Sequence, residues 1–152
     1  FGKWIGSILV ILGLSVGATL LYILANYFFK DLIIEKFEKK FFRLKEKFKN
    51  NEFLFFLIYR FIGGIPFAIS NILPTIFNIK IKNFFFGSMI GMAPQLFVGT
   101  SLGAGIEKII QSNTTPPNFV TLLTSKDIYI PIIAFILIIL LSYFLRKKIY
   151  KN

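Results

Sequence analysis

The sequence predicts an all-α, polytopic membrane protein that contains an inverted repeat and a re-entrant hairpin. Apolar residues make up 55% of its 152 residues, and the mean hydropathy is +0.71. Soluble domains contain roughly 45–50% apolar residues even when glycine is counted. The net charge is +11, and the basic residues lie at the ends of apolar runs, as they do beside membrane helices. These observations place the chain in a membrane.

The residue types that are absent exclude several classes of chemistry. The chain has no cysteine and no histidine, so disulfides, thiol nucleophiles and imidazole or thiolate metal sites are excluded. All seven carboxylates lie in flanks or loops, which leaves no buried acid pair for hydrolysis. We therefore predict no enzyme activity, no metal site and no cofactor. Because the basic residues bracket apolar runs instead of forming one groove, we also predict no nucleic-acid partner.

The first element is a membrane helix over residues 7–29. Residues 4–29 carry no charge, which is more than the roughly 20 residues that a spanning helix needs. Because glycines precede Ser7, we expect the helix to begin near that residue, after a turn. Gly13 and Gly17 form a G-x-x-x-G motif, which lets another helix approach closely. Chance spacing of small residues is the alternative.

Residues 31–52 form a second, amphipathic helix. Apolar residues recur there at steps of three and four, and basic residues occupy the other faces. Such a helix lies on the membrane surface, here on the cytoplasmic side; a soluble coiled-coil strand is the alternative. The apolar stripe consists of Ile34, Phe37, Phe41, Leu44 and Phe48.

Residues 53–79 are apolar, but proline and glycine prevent one straight helix. The segment is either a kinked span or a re-entrant hairpin, and the positive-inside rule decides between them. A hairpin leaves 14 basic residues inside and two in the outer loop, whereas a span gives ten inside and six outside. The hairpin is therefore predicted. Its break is assigned to Gly63, Gly64, Pro66 and Pro74.

The remaining chain contains two more membrane helices. One covers residues 84–106, and an outer loop over 107–127 joins it to the other, over 128–145. A basic cytoplasmic tail, 146–152, ends the chain. Further helix packing is predicted at Gly87, Gly91, Pro94, Gly99 and Gly103.

Two short stretches repeat. Residues 1–6 resemble residues 86–91, and a G-x-x-x-G motif follows each copy. Because the two helices run in opposite directions through the membrane, the similarity indicates an inverted-topology repeat, as in many transporters. Chance similarity of common residues is the alternative. If the repeat is real, we expect a first hairpin upstream of Phe1. Because the chain opens with phenylalanine inside an apolar stretch, we interpret it as the C-terminal part of a longer protein.

Arg60 is the candidate ligand-binding residue. It is the one ionisable residue well inside an apolar run, and such residues are functional candidates. An arginine at a hairpin mouth that faces the cytoplasm can grip a phosphate head group through two hydrogen bonds. The alternative is an arginine that extends to the membrane interface. Asn71 is the second candidate, because its amide can bond freed backbone groups or line a polar path.

These residues also carry a family resemblance. Arg60-Phe61, Gly64-Ile65-Pro66-Phe67, Asn71, Phe84, Gly87, Gly91, Pro94 and Leu102-Gly103 resemble the DedA / SNARE-associated Golgi protein superfamily, whose shared unit is the VTT domain. The similarity covers residues 1–108. It implies two opposed re-entrant hairpins and a role in moving lipids across bilayers. The bacterial DedA branch has a second arginine in this hairpin, and many relatives have a basic residue where this chain has Asn26-Tyr27. The chain is therefore closer to the SNARE-associated-Golgi-like bacterial branch.

The predicted function is translocation of phospholipid or an anionic lipid carrier across a bacterial inner membrane, with the C-terminus in the cytoplasm. Membrane lipids with anionic head groups are the expected partners, and a homo-oligomer is compatible with the sequence. A non-transporting membrane scaffold and a small-solute or ion transporter are the rival functions.

Overall fold

The computed structural model describes residues 2–63, 65–112 and 124–151. Every regular element in those residues is helical, and three helices are long and apolar enough to cross a membrane. The prediction of an all-α, polytopic membrane protein is therefore confirmed. The elements are α1 (Gly2–Phe28), α2 (Lys30–Asn50), α3 (Glu52–Ile62), α4 (Phe67–Ile72), a 3₁₀ turn (Leu73–Phe77), α5 (Ile81–Ser112) and α6 (Lys126–Lys151).

The positions at which the helices begin and end are where the structure differs most from the prediction. Helix α1 begins at Gly2, five residues before the expected start at Ser7. A glycine inside a helix costs only about 1 kcal/mol, and an apolar environment forces the backbone to satisfy its own hydrogen bonds. The Ser7 hydroxyl, moreover, bonds the carbonyl of Lys3 one turn earlier.

The last two spanning helices extend into segments that were predicted to be a loop and a tail. Helix α5 continues to Ser112, six residues into the predicted outer loop, where the Gln111 side chain bonds Glu107 one turn earlier. Helix α6 continues to Lys151, since lysine and arginine are good helix formers and stabilise a helix C-terminus. Residues 113–123 of the predicted loop lie outside the described residues.

The chain divides into two compact units. The hairpin unit is Leu12–Met92, and the terminal unit combines Phe1–Ile11 with Ala93–Asn152. Helices α1 and α5 contribute residues to both. Each unit is described separately below.

The hairpin unit has an aromatic core. Tyr22 of α1 stacks on Phe84 of α5 with ring centroids 4.2 Å apart, and Phe56 of α3 stacks on Phe84 at 4.8 Å. The Tyr22 hydroxyl donates a hydrogen bond of 2.7 Å to the carbonyl of Ile79. Because the phenol's polar end is satisfied, this large side chain can be almost completely buried.

Segment 53–79 doubles back within the hairpin unit. Its two ends meet at Glu52, whose carboxylate accepts hydrogen bonds from the Lys80 backbone (2.7 Å) and the Asn83 amide (2.9 Å). At 1.5 Å per residue, the 11 residues of α3 reach about 16 Å, roughly half the 30 Å hydrocarbon core. Neither α3 nor the shorter α4 is therefore long enough to cross a membrane by itself.

Helix α2 packs its first turns against the returning limb of the hairpin. Ile33 is buried in a cluster with Leu73 and Ile76, and Phe37 contacts the same cluster. The apolar stripe thus begins as a protein contact, with Ile33 more buried than the predicted Ile34. The side chains of the other three stripe residues lie outside the described part. Membrane binding by the rest of α2 stays a prediction.

The terminal unit joins the start of α1 to the second half of α5 and to α6. Trp4 and Phe97 have ring centroids 5.2 Å apart, and the hydroxyls of Ser7 and Thr100 are hydrogen-bonded. Gly105 lies against the backbone of Asp127, where a Cβ would clash. Glycine at 105 therefore lets α5 and the start of α6 approach closely, although the sequence analysis did not identify it as a packing residue.

Candidate functional site

Arg60 lies inside the protein, near the end of α3. Its side chain is only 5% exposed. The guanidinium carbon lies 5.1 Å from the ring centroid of Phe56 and 4.8 Å from that of Phe84, within cation–π distance of both. This placement corrects one expectation. Arg60 does not stand in an open hairpin mouth, because the aromatic core encloses it.

One hydrogen bond holds the guanidinium to the returning limb. Nη1 donates to the Ser70 hydroxyl over 3.2 Å, and that hydroxyl donates in turn to the carbonyl of Phe67 (2.9 Å). Nε and Nη2 are buried and have no partner among the described residues. Buried donors without partners destabilise a protein by about 1–3 kcal/mol each, and more when they are charged. The site therefore holds a cation with unused hydrogen-bonding capacity.

The two unused donors lie on the same edge of the guanidinium. In the standard geometry of arginine, Nη2 is trans to Cδ, so one of its N–H bonds runs parallel to Nε–H. Parallel donors of this kind form the fork that binds two oxygens of one carboxylate or phosphate. Arg60 thus retains a complete side-on anion-binding edge.

Three more polar side chains of the hairpin unit are fully buried and have no hydrogen-bond partner within the described part of the chain. Asn71 has both amide atoms unbonded, and the hydroxyls of Thr75 and Ser88 are unbonded as well. Asn71 follows Ser70 directly, and Thr75 lies four residues further along the returning limb. Ser88 lies on the α5 face that also carries Phe84. Together with Arg60 they are called the buried polar set.

Glycines of α5 position Arg60. A Cβ at Gly91 would lie 2.6 Å from the Arg60 Cβ and 2.9 Å from the carbonyl oxygen of Leu57, and a Cβ at Gly87 would lie 2.6 Å from the Phe56 ring. The backbone of α5 therefore lies directly on α3. Only glycine at these two positions allows so close an approach.

The other predicted packing residues have no such contact. A Cβ at Gly13, Gly17, Gly99 or Gly103 would meet no described atom within 4 Å, and Pro94 is exposed within α5. Helix α1 instead buries a neighbouring stripe of small and polar residues, which are Ser15, Ala18, Thr19, Tyr22 and Ala25. Packing of another helix against the G-x-x-x-G glycines of α1 therefore stays a prediction.

Between α3 and α4 the chain breaks at Gly63 and Pro66, two of the four residues predicted for the hairpin break. Gly63 ends α3 with φ +60° and ψ −153°, a conformation that glycine adopts readily, and Pro66 precedes the first residue of α4. Pro74 is not at this break; it is buried in the 3₁₀ turn. Gly64 lies outside the described residues. Among the residues that the structure does describe, no group of three or more acidic side chains is placed to hold a metal ion.

Sequence reasoning missed Ser70, Thr75 and Ser88. Two of them carried a usable signal. Thr75, like Asn71, is a polar residue in an apolar run, and Ser88 follows Phe84 four residues later on α5. That spacing puts residues on one helix face.

Comparison with known proteins assigns this chain to a protein family. The profile of the VTT domain matches residues 1–105. The uncharacterized protein YqeD of Bacillus subtilis is 31% identical over 106 residues, which cover 68% of this chain and 51% of that protein. The Transmembrane protein 41 homolog of Caenorhabditis elegans is 22% identical over 112 residues, or 72% of this chain and 46% of that protein. The chain spans about half the length of these relatives. No solved structure matches.

Proposed function

The chain belongs to the VTT domain family, and on that premise we propose that it moves phospholipid or an anionic lipid carrier across a bacterial inner membrane. Arg60 binds the phosphate of the head group during this movement. The observation that carries the proposal is the free Nε and Nη2 edge of a guanidinium that is otherwise buried.

A phosphate fits this edge chemically. Two phosphate oxygens accept the parallel N–H bonds, and the negative charge compensates a cation that has no carboxylate partner among the described residues. Charge-assisted hydrogen bonds contribute about 1.5–3 kcal/mol each. The low dielectric around Phe56 and Phe84 strengthens such a contact.

The rest of the buried polar set supports passage of a head group. Asn71, Thr75 and Ser88 offer hydroxyl and amide groups in a region whose other side chains are largely apolar. A head group that leaves water needs such partners at each step, because an unsatisfied polar group costs several kcal/mol in hydrocarbon. Since Arg60 is closed off in this structure, binding requires the two hairpin limbs to separate.

A membrane scaffold is the second candidate. The cation–π contacts of Arg60 with two rings are also what a purely structural arginine would make. In that case Arg60 holds α3, α4 and α5 together, and no lipid moves.

Lipid flux in vesicles that contain the full-length protein separates the two functions. Arg60→Lys keeps the charge but loses the fork, and Arg60→Gln loses both. We expect each to lower flux at least tenfold per inserted molecule, which is the loss of about 1.4 kcal/mol or more. Lys82→Gln, an exposed basic residue on the same unit, is the matched control and should retain full flux.

Protein amount and elution profile in detergent are measured in parallel, so that misfolded variants are recognised. Full flux in both Arg60 variants would refute the binding role. An absence of flux in the parent protein, at normal insertion, would favour the scaffold.

A further inference from the structure

The terminal unit contains a pocket that the proposed function does not use. Its volume is about 310 Å³, at the lower end of the roughly 300–1,000 Å³ typical of ligand pockets. The start of α1, the second half of α5 and the start of α6 line it. The lining residues relevant to its chemistry are Lys3, Ser101, Lys108, Lys126, Asp127 and Ile130.

The pocket is positively charged. Three lysines and one aspartate give it a net charge of +2. Asp127 pairs with Lys108 over 2.8 Å, while neither Lys3 nor Lys126 has an ion-pair partner among the described residues. The Ser101 hydroxyl is also buried and has no hydrogen-bond partner within the described chain. The pocket thus combines a buried hydroxyl with two ammonium groups that lack ion-pair partners, although Lys3 also lies 5.6 Å from the Trp4 ring centroid.

The convergence of these lysines is not expected from the charge distribution. The topology predicted from the positive-inside rule places the N-terminal end of α1 and residues 107–127 on the outer side. On that side the sequence contains only Lys3, Lys108 and Lys126 as basic residues. Outer segments of membrane proteins are poor in lysine and arginine, yet all three of these lysines line one pocket.

The apolar wall indicates what kind of anion fits. Ile130 lies on α6, one of the helices apolar enough to span a membrane, and its side chain is 55% exposed. The cationic part of the pocket is therefore continuous with an exposed apolar helix surface of the kind that suits acyl chains. A free phosphate would use only the lysines, whereas a phospholipid would use both surfaces.

We propose that this pocket binds the head group of an anionic phospholipid on the outer side of the membrane that the protein spans. Lys3 and Lys126 contact the phosphate, and Ser101 is a further hydrogen-bond donor. The site is separate from Arg60 and does not depend on lipid transport.

Cysteine protection in the full-length protein tests the proposal. Ala104→Cys places a thiol in the pocket lining, and residues 1–152 contain no other cysteine. Any cysteine elsewhere in the full-length protein is replaced by serine. The rate of its reaction with uncharged N-ethylmaleimide is measured in phosphatidylcholine nanodiscs, in nanodiscs with added phosphatidylglycerol, and in phosphatidylcholine nanodiscs with added inorganic phosphate. Thr124→Cys, at an exposed position outside the pocket, reports any general effect of the lipid.

We expect phosphatidylglycerol to slow the reaction at Ala104→Cys at least fivefold and to leave Thr124→Cys unchanged. Adding Lys3→Gln and Lys126→Gln should abolish this protection, since each basic residue strengthens anionic-lipid binding about fivefold. Lys80→Gln with Lys82→Gln is the matched double control and should preserve it. Arg60→Gln should preserve it too, which separates this site from the proposed transport function.

Equal protection by inorganic phosphate would overturn the lipid assignment and indicate a free-anion site. No protection by either, or protection that survives loss of both lysines, would overturn the site itself.

Discussion

Replacing Gly91 by alanine perturbs the contact that positions Arg60 without touching any polar group. The added Cβ would lie 2.6 Å from the Arg60 Cβ and 2.9 Å from the Leu57 carbonyl oxygen. Both atoms are part of, or attached directly to, the α3 backbone, so a side-chain rotation cannot relieve the overlap. Restoring an ordinary contact of 3.4 Å requires α3 to move by about 0.8 Å. If α3 moves by that amount away from Ser70, the 3.2 Å distance between Arg60 Nη1 and the Ser70 hydroxyl becomes too long for a hydrogen bond.

Two opposing contributions determine how much Gly91→Ala changes the stability of the protein. Overpacking a well-filled interface costs about 1–3 kcal/mol, while alanine stabilises a helix by about 1 kcal/mol relative to glycine. Gly91→Ala should therefore lower stability by up to about 2 kcal/mol. Gly99→Ala is the control on the same helix: nothing described lies within 4 Å of its Cβ, so only the favourable term applies.

The assay is the thermal midpoint of the full-length protein in detergent, followed by lipid flux per inserted molecule. Gly91→Ala should lower both, whereas Gly99→Ala should leave flux unchanged and keep or raise the midpoint. Equal behaviour of the two variants would refute the reasoning that α5 positions Arg60 through this contact.

Topology, surface binding and core packing each give another test. Lys80→Cys and Lys148→Cys should both react only with reagents that reach the cytoplasm, and labelling of either from outside intact cells would contradict the predicted topology. A peptide of residues 31–51 should become helical with anionic vesicles and much less so with neutral ones, because each basic residue contributes about 1 kcal/mol at an anionic surface; circular dichroism that shows equal helicity in buffer would indicate self-association instead. Tyr22→Phe should lower stability by about 1–3 kcal/mol, since it leaves the Ile79 carbonyl buried without its donor, and an unchanged thermal midpoint would disprove this.

The sequence was sufficient for the features that depend on composition and local backbone. Each spanning helix needs only a long uncharged run, which residues 4–29 supply. The break at Gly63 and Pro66 follows from the backbone preferences of glycine and proline. These properties do not require knowledge of neighbouring helices.

Apart from Phe56, which lies one turn earlier on the same helix, the surroundings of Arg60 depend on neighbours that no local pattern identifies. Its two ring contacts come from α3 and α5, and its hydrogen bond comes from Ser70 on the returning limb. An arginine in an apolar run is compatible with exposure at the interface or with burial, and only packing decides between them. The same holds for glycine. Gly91 and Gly99 lie on one helix, but only Gly91 faces α3 closely.

The hydrogen bonds that join Glu52 to Lys80 and Asn83 have a consequence for biosynthesis. They can form only after about thirty residues beyond Glu52 have been made, and until then α3 is an apolar helix of 11 residues with no partner for its return. If segments are inserted into the membrane one at a time, α3 alone is too short to cross the bilayer. On the predicted re-entrant topology, the two limbs therefore enter the membrane together, after the ribosome has passed Asn83. A translational pause inside this segment would expose an unpaired apolar helix to chaperones and proteases, so the yield of inserted protein should depend on translation speed here more than within α1 or α6.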